Sequence, residues 1–292
     1  MTGDIGIGVR LQTLRLAVRR RLSPLMGGGH DPYPSRPDEP SFDPSSALAE
    51  EIASSRPVLA WSGGDETDLN AWQAEARAKL AALAGFDFDG KPPETHTTLS
   101  PIREGELHRR RVLLARNDRH GIPVHLLWRG EEQRRRPVML CLTGTNVGAH
   151  CAWGEALNPA DPIKISRGLD IAVQAADRGY LAVVVEQMGF GERAERRLKP
   201  TSLAVGVDAA HHALLLGKTL LGLWMSDLSA VVAWLLEDGP PMEPDRIYAM
   251  GHSAGGTTAL FTAAIDQRIK GVIASGCVGS WRRNIVRRRD PE

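Results

Sequence analysis

Four short apolar runs punctuate the chain from residue 137 onward: 137–142 (PVMLCL), 181–186 (LAVVVE), 246–250 (RIYAM) and 269–275 (IKGVIAS). Helical patterns lie between them, at 167–178, 207–237 and 254–264. Unbroken apolar strands suit a sheet covered on both faces. Strand and helix in alternation predict an α/β protein with a doubly wound, mostly parallel sheet. Upstream, 108–116 and 122–129 flank a turn at 117–121 and read as a hairpin. Residues 65–83 form a helix with acids near its start and Gly85 as its stop, and 46–54 a shorter one. Clustered Gly, Pro, Asp and Ser at 27–46 mark a loop or linker, and prolines break the chain at 91–94. The pattern divides the chain into a helical N-terminal extension and linker (1–100) and a sheet core (101–292). Lys218, Asp227 and the adjacent His211 and His212 interrupt the apolar stretch 207–237. It is therefore a packed core helix or a bent pair of helices, not a membrane span.

Composition narrows the partners. A chain of 292 residues can bury a sizeable core. Its net charge of +1 gives no global field for nucleic acid or an anionic membrane. Three cysteines, Cys141, Cys151 and Cys277, without C-x-x-C spacing indicate a reducing, cytoplasmic setting and no disulfide framework. The basic stretch 10–22 has apolar residues at helical spacing but no cleavage signal after it, and reads as a leading helix.

The candidate chemistry sits where the run at 246–250 breaks. Gly251-His252-Ser253-Ala254-Gly255 is a G-x-S-x-G match with a strand before it and a helix after it, the context this motif requires. A serine on such a turn projects its hydroxyl clear of the backbone. The flanking positions pass too close to neighbouring strands for side chains. Ser253 is the candidate nucleophile, and the Ala254 amide the first oxyanion donor. The second donor is expected from the loop after the run at 137–142, by an amide near Thr145.

Other patterns carry less. His252 occupies the variable position of the motif and reads as a packing residue. Adjacent His211 and His212 splay apart on one helix without a supporting carboxylate, so no metal site is assigned. Gly189–Ala194 matches G-x-G-x-x-A, which would cradle a dinucleotide only if a helix began there. Gly217-Lys218-Thr219 has the end of a phosphate loop but neither its earlier glycine nor a preceding strand. The arginine-rich run 281–289 reads as a solvated tail rather than a nucleic-acid patch.

Four segments carry a family likeness: PVMLCLTGTNVGAH (137–150), IAVQAADRGYLAVVVEQMGFGER (171–193), GKTLLGLWMSDL (217–228) and PDRIYAMGHSAGGTTALFTAAIDQRIKGVIASG (244–276). The chain resembles the α/β-hydrolase superfamily, in a branch of bacterial esterases related to acetyl-xylan esterases and dienelactone hydrolases. The resemblance implies an acyl-enzyme at Ser253, an oxyanion hole from the Ala254 and Thr145 amides, no cofactor and a small-molecule ester as partner. It implies neither nucleic acid nor membrane, and leaves the oligomeric state open. The superfamily order is Ser, then Asp or Glu, then His. After Ser253 this chain has no histidine, and its later acids are Asp266, Asp290 and Glu292. The expectation is a hydrolase fold lacking its last strands, with the triad acid and histidine missing and activity absent or weak. His150, in the loop after the oxyanion strand, is the candidate substitute base. The competing expectation is a catalytically dead binding module, and a third is nucleotide binding at Gly189–Ala194.

Overall fold

The computed structural model describes residues 44–117, 120–145, 147–195 and 206–279. The chain divides into two compact units, Met1–Val58 with Trp281–Glu292, and Leu59–Ser280. In the first, the described element is helix α1 (Pro44–Ser54). The basic stretch 10–22 and the arginine-rich run 281–289 lie outside the described residues. The larger unit begins at Leu59, well before the boundary expected near residue 101, because the helix and strand between them join the sheet's layers.

That helix is α2 (Glu66–Ala84), and its ends are set by local chemistry. The Asp65 side chain accepts from the amides of Thr67 and Asp68, and the Asp68 carboxylate accepts from the Asp65 amide. This capping box satisfies amides that the first turn leaves without partners. Gly85, left-handed at φ 65°, stops the helix by donating back to Ala81 and Ala82.

Eight strands build one sheet: β1 (Glu94–Thr98), β2 (Ile102–Glu104), β3 (Leu107–Asn117), β4 (His120–Arg129), β5 (Val138–Leu142), β6 (Leu181–Val185), β7 (Ile247–His252) and β8 (Ile269–Ser275). The spatial order is β1-β3-β4-β6-β5-β7-β8, with β2 alongside β3. Pairing is parallel across β6, β5, β7 and β8. The expected β3–β4 hairpin extends the sheet antiparallel through β4–β6, and β1 and β2 add to its far side. The sheet is thus mixed, with its parallel half carrying the serine motif.

The central strands alternate between two cores. Val138, Leu140 and Leu142 of β5 and Leu181, Val183 and Val185 of β6 pack on one face. That face is covered by α6 (Leu220–Glu237) and α7 (Ala254–Ile265), through Leu228, Val231, Val232, Leu235 and Ala259. Met139, Cys141, Ala182 and Val184 point the other way, onto α4 (Ile171–Asp177) through Ile171, Ala172, Ala175 and Ala176. Burial on both faces is why these runs are apolar at every position.

Three helix boundaries reflect glycines. The stretch 207–237 is a pair, α5 (Val207–Leu215) and α6, separated at Gly217 with φ 67°. Thr219 caps α6 by accepting from the Gly222 amide, and Lys218 pairs with Asp87. Gly217-Lys218-Thr219 is therefore a helix break, not a phosphate loop. The helix expected at 167–178 starts only at Ile171. The preceding α3 (Asp161–Lys164) and π turn (Ile165–Leu169) reverse at Gly168, with φ 87°. By length and composition α6 could cross a membrane, but two thirds of it is buried inside the fold.

Gly222 marks a close contact between α6 and the end of α2. A Cβ there would lie 1.9 Å from the Ala84 carbonyl oxygen. Gly→Ala inside a helix usually gains about 1 kcal/mol. Here the clash is with backbone, and overpacking of about 1–3 kcal/mol outweighs that gain. Gly222→Ala should lower the urea midpoint at unchanged m-value. A raised midpoint would refute this packing.

Candidate active site

At the end of β7 the chain turns within one residue into α7. Ser253 makes that turn at φ 53°, ψ −121°, and is the one non-glycine with positive φ among the described residues. Its amide donates to the Ser275 carbonyl at 2.8 Å, and its carbonyl accepts from the Thr257 amide at 2.9 Å, starting the helix. A Cβ on Gly251 would meet the Gly255 backbone at 2.3 Å, and one on Gly255 the Leu142 carbonyl oxygen at 2.3 Å. The motif's glycines are therefore required by backbone packed on backbone. The serine at the crest holds a conformation that costs a non-glycine residue about 1–3 kcal/mol.

The loop after β5 lies against this crest. A Cβ on Gly144 would be 3.3 Å from the Ser253 Cβ. Gly144, Thr145 and Ser253 line one cleft of about 700 Å³. Two hydrogen bonds from one buried side chain fix the loop's start. Gln187 Nε2 donates to the Thr143 carbonyl at 2.9 Å, and Gln187 Oε1 accepts from Thr258 Oγ1 at 2.8 Å. Thr143 Oγ1 donates to the Val147 carbonyl at 2.7 Å. Among the described residues, neither the Ala254 nor the Thr145 amide has an acceptor. His252 lines the same cleft, with its ring against the Gly276 backbone and Gly144.

His150 is held elsewhere. Its Nε2 is 2.9 Å from Asp161 Oδ2, and it is not among the residues lining the cleft. Asp161 is 1% exposed. Burial works against its charge, but hydrogen bonds from His150, Asn158 and Leu157 hold the carboxyl well below the usual carboxylate range. With Cys151 these two residues form a three-ligand set that could be considered for a metal. The donors do not fit one. Asp161 Oδ2 already accepts from His150, Leu157 and both nitrogens of Asn158, and Lys164 lies 3.3 Å from Oδ1. Burial, then Asp161, pushes the Cys151 thiol up to about 11, far from the thiolate a ligand or nucleophile needs.

The turn after β6 is structural rather than nucleotide-binding. Only a three-residue 3-10 turn, Gly191–Arg193, follows Gly189 among the described residues, so no α-helix N-terminus faces the glycines. Glu186, 1% exposed, accepts from the amides of Ala149 and Glu192. A Cβ on Gly191 would fall 2.0 Å from that carboxylate. Glu192 binds Arg111 at 2.7 Å and His125 Nε2 at 3.0 Å, and Arg193 binds Asp227 at 2.7 Å. His211 and His212 are exposed, and His212 lies 3.5 Å from Glu195.

Sequence reasoning missed three contributors. Gln187 carries no motif, and its bridging role exists only once β6 lies beside β5. Lys164 and Arg167 line the same cleft as the serine, next to the chain reversal at Gly168. The glycine inside an otherwise helical pattern was the signal available for them.

The sheet order, the elbow and the cleft now permit comparison with known proteins. The prolyl oligopeptidase family matches residues 219–288, which include the elbow. "Putative hydrolase YtaP" of Bacillus subtilis (strain 168) is 27% identical over 198 residues, 68% of this chain and 62% of the relative. A structure described as a putative acetyl xylan esterase from Bacteroides fragilis NCTC 9343 aligns with TM-score 0.69 at 18% identity, over 82% of this chain and 62% of the other. The fold is that of the α/β-hydrolases. An acetyl xylan esterase from Paenibacillus sp. R4 shares this hydrolase fold, at TM-score 0.50 and 17% identity over 81% of this chain and 69% of that one. So does a glucuronoyl esterase from Solibacter usitatus, at TM-score 0.50 and 18% identity over 74% and 62%. The chain spans 62% of the length of the first relatives it matches, in sequence and in structure.

Two predictions follow from the crest and its supports. Ser253→Ala keeps the Cβ and the strain, whereas Ser253→Gly releases it at an entropic cost of about 0.5–1 kcal/mol. Ser253→Gly should be the more stable variant by about 1 kcal/mol in urea unfolding. Equal midpoints would remove the strain. The second concerns acid. A hydrogen bond from His125, then Arg111, holds the Glu192 carboxyl down at about 2 from 4.5, and burial lowers His125 below 6.5. Both folded values lie below the unfolded ones, so their stabilisation is present at neutral pH and lost on acidification. His125 loses its share first and Glu192 between 4.5 and 2. Glu192→Gln should flatten the fall of the urea midpoint across that lower window.

Proposed function

We propose that the chain is the core of a serine hydrolase acting on carboxylic ester bonds. The observation that carries the reading is Ser253 at the crest of a strained strand-to-helix turn, in a cleft shared with the Gly144–Thr145 loop. Ser253 Oγ attacks the ester carbonyl, forming an Oγ–C bond. The oxyanion is held by the Ala254 and Thr145 amides, aided by the positive end of α7. The C–O bond to the alcohol then breaks, and water releases the acyl group. Similarity to hydrolases and esterases supports this chemistry, as do backbone amides without acceptors in the described structure. The partner in this reading is a small-molecule ester, met in a reducing cytoplasm by a protein with unpaired cysteines.

Among the described residues no imidazole hydrogen-bonds the Ser253 hydroxyl, and His150, the candidate substitute, is engaged by Asp161. In this chain the serine proton therefore passes to solvent, and turnover is slow. The oxyanion site and binding alone support about 10³–10⁴-fold over water.

The test treats the purified 292-residue chain with a fluorophosphonate probe and follows p-nitrophenyl acetate hydrolysis. Slow labelling and weak turnover, both lost in Ser253→Ala, are expected. Fast turnover that disappears in His150→Ala as well would assign the base to His150. No labelling at any pH would favour the competing reading, a binding module that keeps the elbow without its chemistry.

A further inference from the structure

We propose that the cleft selects esters carrying a carboxylate near the scissile bond, through a cationic wall formed by Lys164 and Arg167. This rests on the hydrolase reading of Ser253. Of the residues lining the cleft, Lys164 and Arg167 are the cations, and none is Asp or Glu. The wall is built rather than incidental. Asp161, buried and held by the amides of Leu157 and Asn158, fixes the base of α3 and anchors Lys164 at 3.3 Å. The chain then reverses at Gly168. Gln174 Nε2 clamps that reversal by donating to the Gly168 carbonyl at 3.0 Å and to Asp170 Oδ1 at 2.6 Å. Arg167 sits immediately before the clamp, and among the described residues its guanidinium has no carboxylate partner. Asp161 offsets much of the Lys164 charge, so Arg167 supplies the field that an anionic substrate meets. A guanidinium also offers a planar pair of donors matched to a carboxylate. Ser253, Thr145 and His252 line the same cleft. A substrate reaching from serine to wall therefore presents an uncharged ester at one end and an anion at the other.

The anion could belong to the acyl part or to the alcohol part, and matched ester pairs separate the two. Mono-p-nitrophenyl glutarate against p-nitrophenyl butyrate tests an anionic acyl group. Acetoxybenzoate against phenyl acetate tests an anionic alcohol. At low salt the wild-type chain should favour the anionic member of one pair in kcat/KM. That ratio should fall about fivefold in Arg167→Gln, the scale of a solvent-exposed ion pair. It should return in Arg167→Lys and fade in 0.5 M salt, where the screening length is only a few ångströms (~4 Å). Labelling at Ser253 with ratios that do not move in Arg167→Gln overturns the wall and leaves the hydrolase reading standing. If no ester is cleaved, the hydrolase reading fails and the wall is read by binding. Glutarate should then raise the melting temperature of the wild type more than that of Arg167→Gln, and equal shifts overturn the proposal.

Discussion

Backbone pressed against backbone at Gly251 and Gly255 governs the rest of this molecule. A Cβ at either position would sit 2.3 Å from a neighbouring backbone atom, well inside van der Waals contact. With those approaches fixed, β7 has one residue in which to become α7, and Ser253 absorbs the turn in a conformation few side chains tolerate. The helix then starts at Ala254, leaving its first amides without intrahelical acceptors. The crest serine, the Ala254 amide that follows it and the start of the helix are thus consequences of one steric constraint.

The loop beside the crest depends on a different kind of interaction. The Gly144–Thr145 loop is held by a buried amide, Gln187, that bridges the end of β5 to α7. An unsatisfied amide at this depth would cost about 1–3 kcal/mol, more than a satisfied one contributes. The geometry is therefore discrete: both bonds form and the loop stands where it does, or the packing of β5, β6 and α7 changes together. Beneath it, Glu186 organises the amides of Ala149 and Glu192. Glu192 and Arg193 in turn tie the turn after β6 to β3, β4 and α6 through Arg111, His125 and Asp227. The two glycines of that turn, which resembled a nucleotide cradle, are there because a buried carboxylate and the Gly206 backbone leave no space for side chains.

The region of the His150–Asp161 pair illustrates how a cluster of reactive residue types can be architectural. Asp161 is saturated by donors, and the Cys151 thiol is pushed up by burial. Neither has spare capacity for a metal or for proton transfer at Ser253. What the cluster does is set the direction of α3, and through it the cationic side of the cleft.

Much of this was legible along the chain because it is local. Apolar runs with no alternation determine strands covered on both faces, and β5 and β6 divide their side chains between two cores as such runs must. G-x-S-x-G between a strand and a helix determines the elbow, since its glycine and serine positions answer to contacts within a few residues. Gly85 and Gly217 determine where helices stop, because positive φ is a property of the residue itself. Tertiary structure alone decided the rest. That His150 pairs with Asp161, that Gln187 anchors the loop after β5, and that Arg167 lines the same cleft as Ser253 depend on which elements become neighbours. Those pairings are chosen by the burial of two whole faces of side chains, a sum over distant residues that no short window of sequence contains.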